Sequence, residues 1–561
     1  MSEAIEPTVI PSGEPALSSE RRARLKGALL VSIVAALLVF PPLGSQGIST
    51  SDEARFVLLA RDMLERDAWF GAEVRGKLYR NKPPLYPWSV AALSRLTGGL
   101  TEATAQAPVA AAAVVGVLFT FLLGERLFGL RGGLWAGLVL ATSYHFFTHS
   151  QKFLPDMLVA AFAAVAGYAF WRAVREPPGR GALVAFYAAL ALGMFAKGPV
   201  GLLPVLTVAV WLWGERGVRG LPTLWSPLGV SVFAAITLAW LGPFLALGTG
   251  SFARNVLWTN WLDWYLGLPV PSRLANLVSD ALVGFAPWTL VAPLAFVCAY
   301  RAWRADPAVR FAVLWFAVPL FAVMLSAGQR TRYLVPVYPG AALVVAWWAD
   351  ARGSARTAAG RALAWAALAG AVGAIAWLVA APPFGLSLTS WQLVPLIAGA
   401  GLLGGALFTG LLAARPALLI QGGAIAMMLI LGSGIWVHNA WVNRTESYKD
   451  LAELVRRNVG DTEVAVFGAR FFPLDFYLGR DLHRIWSLEE FDAYLARPDR
   501  PAVVAELSAW RMIEGRTADN VRVLDWMDVG DEEMLIIRAR PPGAPGTRPP
   551  PAGEPWAQAP R

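Results

Sequence analysis

Runs of about twenty apolar residues recur along this chain, separated by short connections that carry arginine. A helix needs roughly that length to cross the hydrocarbon core of a bilayer. Inside the core every backbone polar group must be satisfied by the segment itself, so helices are the fold open to such runs. Charged residues make up only 16% of the 561, and hydrophobic ones 56%, against roughly 25% charged in a soluble domain. So few charges cannot cover several water-soluble domains. A soluble multidomain enzyme, a collagen-like or disordered chain and a disulfide scaffold are excluded as descriptions of the whole. The single cysteine, Cys298, lies in an apolar run and reads as a small buried hydrophobe. The net charge of +9 would suggest nucleic acid in a soluble protein. Here the arginines fall in loops between spans, so topology accounts for them and no nucleic-acid partner is expected.

Spans are expected to begin near Ala28, Ala105, Gly132, Met157, Ala182, Val200, Thr223, Leu277, Arg310, Tyr333, Ala362, Trp391 and Ala417. This gives an all-α polytopic membrane domain of about 13 transmembrane helices. Arg21, Arg22, Arg24 and Lys26 precede the first span and place the N-terminus in the cytoplasm. Counting alternately, every loop then expected to be cytoplasmic carries arginine, from Arg126 and Arg131 through to Arg415. The odd count leaves the C-terminal segment outside. Residues 1–26 are expected as a disordered cytoplasmic tail and 27–440 as the transmembrane domain. A small extracytoplasmic α/β domain follows over 441–540, then a disordered Pro/Gly-rich tail over 541–561.

Two outer segments break the arginine rule. Residues 44–104 form a long loop rich in Arg and Lys, and residues 328–332 read GQRTR. Cations on the outer face suggest an anionic ligand at the membrane surface. The first loop opens with Ser49, Thr50 and Ser51 as N-caps and with Asp52 and Glu53 in the first turn. Phe56, Leu59, Ala60, Met63 and Leu64 then recur at helical spacing, with Arg55, Arg61, Asp62, Glu65 and Arg66 mainly opposite. This reads as an amphipathic helix lying in the interface. The apolar piece Leu85–Leu96 is expected to rest there too. In the C-terminal segment a helix is expected over about 449–458. Strands are expected at 463–467, 502–506, 521–525 and 533–538, with a Ser487/Glu490 capping box before a helix ending near Ala496.

The polar residues hardest to explain structurally all fall on the outer side: Asp52, Glu53, Lys82, Asp156, Lys197, Arg330, Arg332 and Tyr333. A lysine embedded in a membrane costs about 2.5–3.5 kcal/mol on insertion scales. Each has a bland explanation. Asp52 and Glu53 complement a helix N-terminus, Lys82 and Lys197 snorkel, Asp156 caps a span, and Arg330 and Arg332 anchor headgroups. Their shared side and depth favour function. Acids and cations at one leaflet suit transfer chemistry on a lipid-linked phosphate. Lys and Arg would stabilise the departing phosphate, and a carboxylate would take the proton of a hydroxyl acceptor. His145 and His149 stand four residues apart, with Asp156 seven residues on. They are three candidate ligands for a divalent metal, although such histidines are more often hydrogen-bonded structural residues. No Walker A, GxGxxG or HExxH motif calls for a further cofactor.

At these residues the chain resembles the bacterial integral-membrane glycosyltransferases of the GT-C fold, in the group of lipid A aminoarabinose transferases and protein mannosyltransferase-like enzymes. The matching stretches are Asp-Glu-Ala-Arg-Phe from Asp52, Lys-Pro-Pro-Leu-Tyr from Lys82, Leu-Pro-Asp ending at Asp156 and Phe-Ala-Lys-Gly-Pro from Phe195. Pro287-Trp288 and Arg-Thr-Arg-Tyr-Leu-Val-Pro-Val-Tyr-Pro from Arg330 complete the set. The resemblance implies inverting transfer of a sugar from a polyprenyl-phosphate donor to a lipid A, glycan or protein acceptor. The reaction would take place on the periplasmic face of the bacterial inner membrane. Carried over residue by residue, it makes Asp52 the carboxylate at the reaction centre, with Glu53 and Arg55 organising its loop. Lys82 would contact the donor phosphate, and Asp156 would stand in the acceptor or sugar site. Lys197, Arg330, Arg332 and Tyr333 would line the phosphate or sugar pocket. Asn81 stands where relatives often have an acid, and Asn260, Asp263 and Trp264 occupy a later outer loop. The resemblance therefore carries the reaction class and not the substrate names. The alternative is a secondary transporter or lipid-linked sugar flippase, which would place ionisable residues near the midplane of paired repeats.

Overall fold

The structure, a computed structural model, describes residues 14–79, 82–175, 180–247, 254, 258, 270–326, 328–351, 358–380, 388–413, 415–468, 471–499, 501–517 and 521–540. Asn81 and the Asn260–Trp264 segment lie outside these residues.

The first half is built from α1 (Glu14–Val39), α2 (Ser51–Arg66), the hairpin β1 (Glu73–Val74) and β2 (Lys77–Leu78), and α3 (Leu85–Thr97). The bundle continues through α4 (Glu102–Ala141), α5 (Tyr144–His149), α6 (Asp156–Arg175), α7 (Arg180–Lys197), α8 (Leu203–Arg216) and α9 (Pro227–Ala246). Among the described residues seven further helices follow, from Pro271–Gly284 to Pro416–Thr445. Each of the thirteen expected spans falls on helix. Among the described residues, however, only eight helices are long and apolar enough to cross a membrane. Two differences have plain causes. The spans expected at Ala105 and Gly132 share α4, which folds back at Gly129, whose φ of 82° suits glycine. The spans expected near Val200, Leu277 and Tyr333 are shorter helices joined by 3-10 turns at Pro199–Leu202, Trp288–Leu290 and Thr331–Val337, each close to proline. The chain is a multi-pass membrane protein. At its N-terminus α1 begins at Glu14, well inside the tail expected to be disordered to residue 26, because Glu, Arg, Ala and Leu all favour helix.

Ion pairs define one end of the bundle. Arg24 on α1 meets Glu125 at 3.1 Å and donates to the Tyr168 hydroxyl at 3.0 Å, and Glu215 meets Arg310 at 3.1 Å. The loops bearing Arg126, Arg172, Arg216 and Arg304 therefore gather at that end. The first long loop and the C-terminal domain lie at the other.

The C-terminal domain holds a five-stranded mixed sheet in the order β4-β3-β5-β7-β6. Its strands are β3 (Val464–Phe467), β4 (His483–Ile485), β5 (Ala502–Glu506), β6 (Val521–Val529) and β7 (Glu532–Ala539). Val503, Ala505, Leu535 and Ile537 pack one face, and Val504, Met534 and Ile536 the other. Helices cover both faces, so the strands read as apolar runs. Strand β4 and the helices Phe472–Leu478 and Leu507–Thr517 are additions to the elements expected from sequence.

Helix α2 departs from the expected interfacial helix in one respect: its polar side meets the C-terminal domain instead of water. Arg61 donates to the Asp475 carbonyl at 2.8 Å and to Asp481 at 2.5 Å. Arg75, in the hairpin turn, pairs with the fully buried Asp475 carboxylate, which also accepts from Leu482 N at 2.6 Å. Burial pushes the Asp475 carboxyl up to about 6, with Arg75 opposing it. We expect Arg75→Met to lower stability by about 3–5 kcal/mol at pH 8, because it strands a buried carboxylate. At pH 5 the loss should shrink, since Asp475 then takes up a proton. Thermal unfolding of the detergent-solubilised protein at the two pH values checks this, and equal losses at both would remove the charge from the account.

Candidate functional site

The site begins at the N-terminus of α2. Thr50 is the N-cap, its hydroxyl accepting from Glu53 N at 3.3 Å, which puts Asp52 in the first turn where the helix dipole favours an anion. Glu53 beside it is 1% exposed and turns inward. Its carboxylate accepts from the Thr50 hydroxyl at 2.8 Å and from Phe153 N at 3.4 Å. Glu53 therefore ties α2 to the segment before α6 and does not join the cation cluster.

Asp52 does join it. Its Oδ1 pairs with Arg55, and its Oδ2 accepts from Arg330 and Arg332, each at 3.0 Å. A carboxylate offers about four acceptor positions, so three guanidiniums leave little capacity open. Arg330 and Arg332 flank Thr331, whose hydroxyl donates to Asp280 on the helix Pro271–Gly284. The 3-10 turn then carries Tyr333 over to the ammonium of Lys197, which lies 4.0 Å from its ring centroid.

Lys197 ends α7 and Asp156 begins α6, so each complements a helix dipole as well as its partner. They form a pair in which both side chains are 5% exposed. Gly198, at φ 81°, turns the chain there into Pro199–Leu202. Only the Oδ1 of Asp156 is used by the pair, and its buried Oδ2 has no hydrogen-bond partner among the described residues. That oxygen could accept a further hydrogen bond. Lys82, half-buried in the loop before α3, feels Asp156 and the guanidiniums of Arg332, Arg330 and Arg55, and burial pushes its ammonium down to about 8. Tyr79 lies in the same loop. Burial pushes its phenol up to about 12 although Arg55 and Arg332 oppose that rise.

Asp52, Arg55, Lys82, Asp156, Lys197, Arg330, Arg332 and Tyr333 thus form one linked cluster. Sequence reasoning missed Asp280, visible as an acid in an apolar helix, and Phe472, whose ring lies 5.8 Å from the Arg55 guanidinium and 4.6 Å from that of Arg75. Nothing local marked Phe472. The metal candidates do not converge. His145 contacts the Tyr338 hydroxyl at 3.0 Å, and His149 contacts the His145 carbonyl at 2.8 Å. No group of three or more His, Cys, Asp or Glu able to hold a metal occurs among the described residues. Cys298 is half-buried and free.

An apolar cavity of about 230 Å³ begins beside this cluster, lined by Leu277, Ala281, Phe285, Phe316, Leu334 and Tyr338 among others. Leu334 directly follows Tyr333, so the apolar space opens next to the charged one.

Residues 81–242 match the family model described as dolichyl-phosphate-mannose-protein mannosyltransferase. The chain is 25% identical over 360 residues to undecaprenyl phosphate-alpha-4-amino-4-deoxy-L-arabinose arabinosyl transferase 2 of Sodalis glossinidius (strain morsitans), over 60% of this chain and 61% of that one. It is 26% identical over 341 residues to the corresponding transferase of Pseudomonas savastanoi pv. phaseolicola, over 57% and 60%. The chain thus spans about three-fifths of the curated relatives it matches. In three dimensions it superposes on ArnT from Cupriavidus metallidurans bound to undecaprenyl phosphate with a TM-score of 0.72 and 20% identity, covering 91% of this chain and 97% of that one. The oligosaccharyltransferase AglB from Archaeoglobus fulgidus follows at 0.50 and 12%, over 87% and 70%.

The fold is therefore that of the GT-C integral-membrane glycosyltransferases. Within that class the chain resembles the undecaprenyl-phosphate aminoarabinose transferases.

Proposed function

We propose that this protein transfers a sugar from a polyprenyl-phosphate donor to an acceptor that reaches it from the periplasmic face of the bacterial inner membrane. The N-terminus would be cytoplasmic and the C-terminal domain periplasmic. One observation carries the reading: two carboxylates and five cations from separate segments meet beside an apolar cavity at one end of the bundle. A lipid-linked phosphate has that same composition, an anion on an apolar tail. A transporter would instead hold its ionisable residues near the midplane.

In this reading the prenyl tail enters the cavity lined by Leu277 and Phe285, and the phosphate faces Lys82, Arg330 and Arg332. The bond between the anomeric carbon and the phosphate oxygen breaks as the acceptor oxygen attacks from the opposite face, inverting the centre. The cations stabilise the charge gathering on the departing polyprenyl phosphate. The unpartnered Oδ2 of Asp156 accepts from a sugar hydroxyl or amine. A hydroxyl acceptor passes its proton to Asp52. For a phosphate acceptor, already an anion, Asp52 instead orients groups around the sugar. The purified protein given undecaprenyl-phosphate aminoarabinose and lipid A should release undecaprenyl phosphate and add one sugar mass to lipid A. Transbilayer movement of the donor without its cleavage would establish the flippase instead.

The state of Lys82 gives a pH signature. Its ammonium is charged below about 8 and neutral above, and a phosphate binds the charged form. The affinity for undecaprenyl phosphate should fall as pH rises through 8, by up to about tenfold per unit for one linked proton. Lys82→Arg should flatten the profile. Binding measured at pH 7, 8 and 9 checks this, and a flat wild-type curve removes Lys82 from the phosphate contact.

A further inference from the structure

Asp280 is a half-buried acid among apolar neighbours, and neither the cation cluster nor the tail cavity yet gives it a task. It stands one turn before the end of the helix Pro271–Gly284, where Leu277, Val278, Ala281 and Leu282 around it line the apolar cavity. A charge beside an apolar run is costly and needs a reason. This end of the helix is fixed. Gly284 leaves no room for a Cβ against the His145 ring and the Tyr338 hydroxyl. Phe285 stacks on the Tyr338 ring, with centroids 6.0 Å apart, and Tyr144 N donates to the Ala286 carbonyl at 3.1 Å. Asp280 therefore stands on backbone that is held against α5 and the helix Tyr338–Ala351.

The side chain it meets is Thr331, whose hydroxyl donates to its Oδ2. Thr331 stands between Arg330 and Arg332, the two residues that reach Oδ2 of Asp52 at 3.0 Å each. Arg330 is extended, with φ −142° and ψ 141°, and extended backbone turns successive side chains apart. The two guanidiniums go to α2 while the hydroxyl between them goes to the helix Pro271–Gly284. The segment is thus tied to two carboxylates, to Asp52 through the arginines and to Asp280 through Thr331. On either side it is braced locally, Gln329 donating to the Met324 carbonyl at 2.7 Å and Tyr333 N to the Arg330 carbonyl at 2.9 Å. A ligand would treat the two ties differently. A donor phosphate would take the guanidiniums in place of Asp52 and leave the hydroxyl alone. Arginine side chains carry much rotamer freedom, and they serve a developing charge best when already aimed at it. Of the two ties, the one to Asp280 is the one that survives donor binding.

We propose that Asp280 is a positioning residue for the donor phosphate: by accepting from the Thr331 hydroxyl it keeps Arg330 and Arg332 aimed at the phosphate once Asp52 has given them up. The proposal rests on the donor reading above and adds the group that preorganises its two arginines. Asp280 acts as a hydrogen-bond acceptor and not through its charge, which a phosphate would find repulsive. Because the same helix lines the apolar cavity, this hydrogen bond also holds the wall of the tail site and the arginines of the phosphate site in a fixed relation.

The test measures binding of undecaprenyl phosphate to the full chain in detergent, with sugar transfer beside it. Asp280→Ala and Thr331→Val each remove the bond, and each should weaken binding by about tenfold, the scale of one hydrogen bond to a charged group. Combined, they should cost no more than either alone, since both break the same contact. Asp280→Asn keeps an acceptor oxygen and Thr331→Ser keeps the hydroxyl, so each should recover most of the affinity. In transfer assays the loss should fall on kcat/KM for the donor and leave the acceptor KM within about twofold of wild type, a split that general loosening of the fold would not produce. Thr331→Val and Thr331→Ser carry the test should Asp280→Ala fail to fold. Unchanged binding in the variants that lack the bond overturns the assignment. So do additive losses, which would separate the two residues, and a defect in Asp280→Asn as deep as in Asp280→Ala, which would make the charge the active property. If undecaprenyl phosphate binds in this Thr331-dependent way but no sugar is transferred, the positioning role stands and the transfer reaction falls.

Discussion

Asp52→Asn should leave a folded, membrane-inserted protein whose transfer rate has fallen by about a thousandfold, within the range for losing a positioned proton acceptor. The same variant should bind undecaprenyl phosphate more tightly than wild type. The second expectation follows from the geometry. Asp52 holds Arg55, Arg330 and Arg332 at once, and a donor phosphate must compete with that carboxylate for the same guanidiniums. An amide of the same shape carries no charge and lets go of them. Asp52 is 29% exposed in its side chain, so solvent weakens each pair, and a gain of roughly 1 kcal/mol, about fivefold in affinity, is the appropriate scale. In the proposed reaction the exchange would run the other way: the arriving phosphate would draw the arginines off Asp52 and free its oxygens as the donor settles in place. Binding measured beside turnover decides the matter. Reduced turnover with unchanged phosphate affinity would mean that the arginines never leave Asp52. Full turnover would remove Asp52 from the mechanism.

Much of this cluster was legible in the sequence because a charge in or beside an apolar run is costly and needs a reason. Lys197 and Asp156 stand out on that ground alone, and Arg330 and Arg332 stand out because outer loops seldom carry arginine. What the sequence could not show is which charge meets which. Asp52 and Arg332 are 280 positions apart, and no local pattern reports a contact of that span. Glu53 illustrates the converse. Adjacent to Asp52 and chemically alike, it faces the protein interior, because successive residues on a helix point about 100° apart. Its capping bond to Thr50 was foreseeable; its contact with Phe153 N was not. In the C-terminal domain, β4 has three residues and the helix Phe472–Leu478 has seven, too few for periodicity to register. The helix Leu507–Thr517 follows β5 directly at Glu506, with no turn residue to announce it. The helix Phe472–Leu478 carries Phe472, whose ring faces Arg55, so this neighbour of the cluster stayed hidden from sequence reasoning, as did Asp280 in the helix Pro271–Gly284.

The buried pair of Lys197 and Asp156 should separate stability from chemistry. Lys197→Met leaves the Asp156 carboxylate without its cation in a site where both side chains are 5% exposed, and removing one member of such a pair costs about 3–5 kcal/mol. Unfolding in detergent should occur at a clearly lower temperature, and little activity should remain. Adding Asp156→Asn removes the stranded charge. The double variant should regain most of the lost stability, since methionine packs against the Tyr333 ring and a neutral amide is far cheaper to bury than a carboxylate. Activity is where the two accounts of the pair diverge. If Lys197 and Asp156 serve only to join the ends of α6 and α7, the stable double variant should transfer sugar again. If the ammonium faces the donor and the free Oδ2 of Asp156 accepts from the sugar, turnover should stay near that of the single variant although the fold has recovered. The free oxygen favours the second outcome. Buried beside the ammonium and without a hydrogen-bond partner among the described residues, it is available to a donor on the sugar.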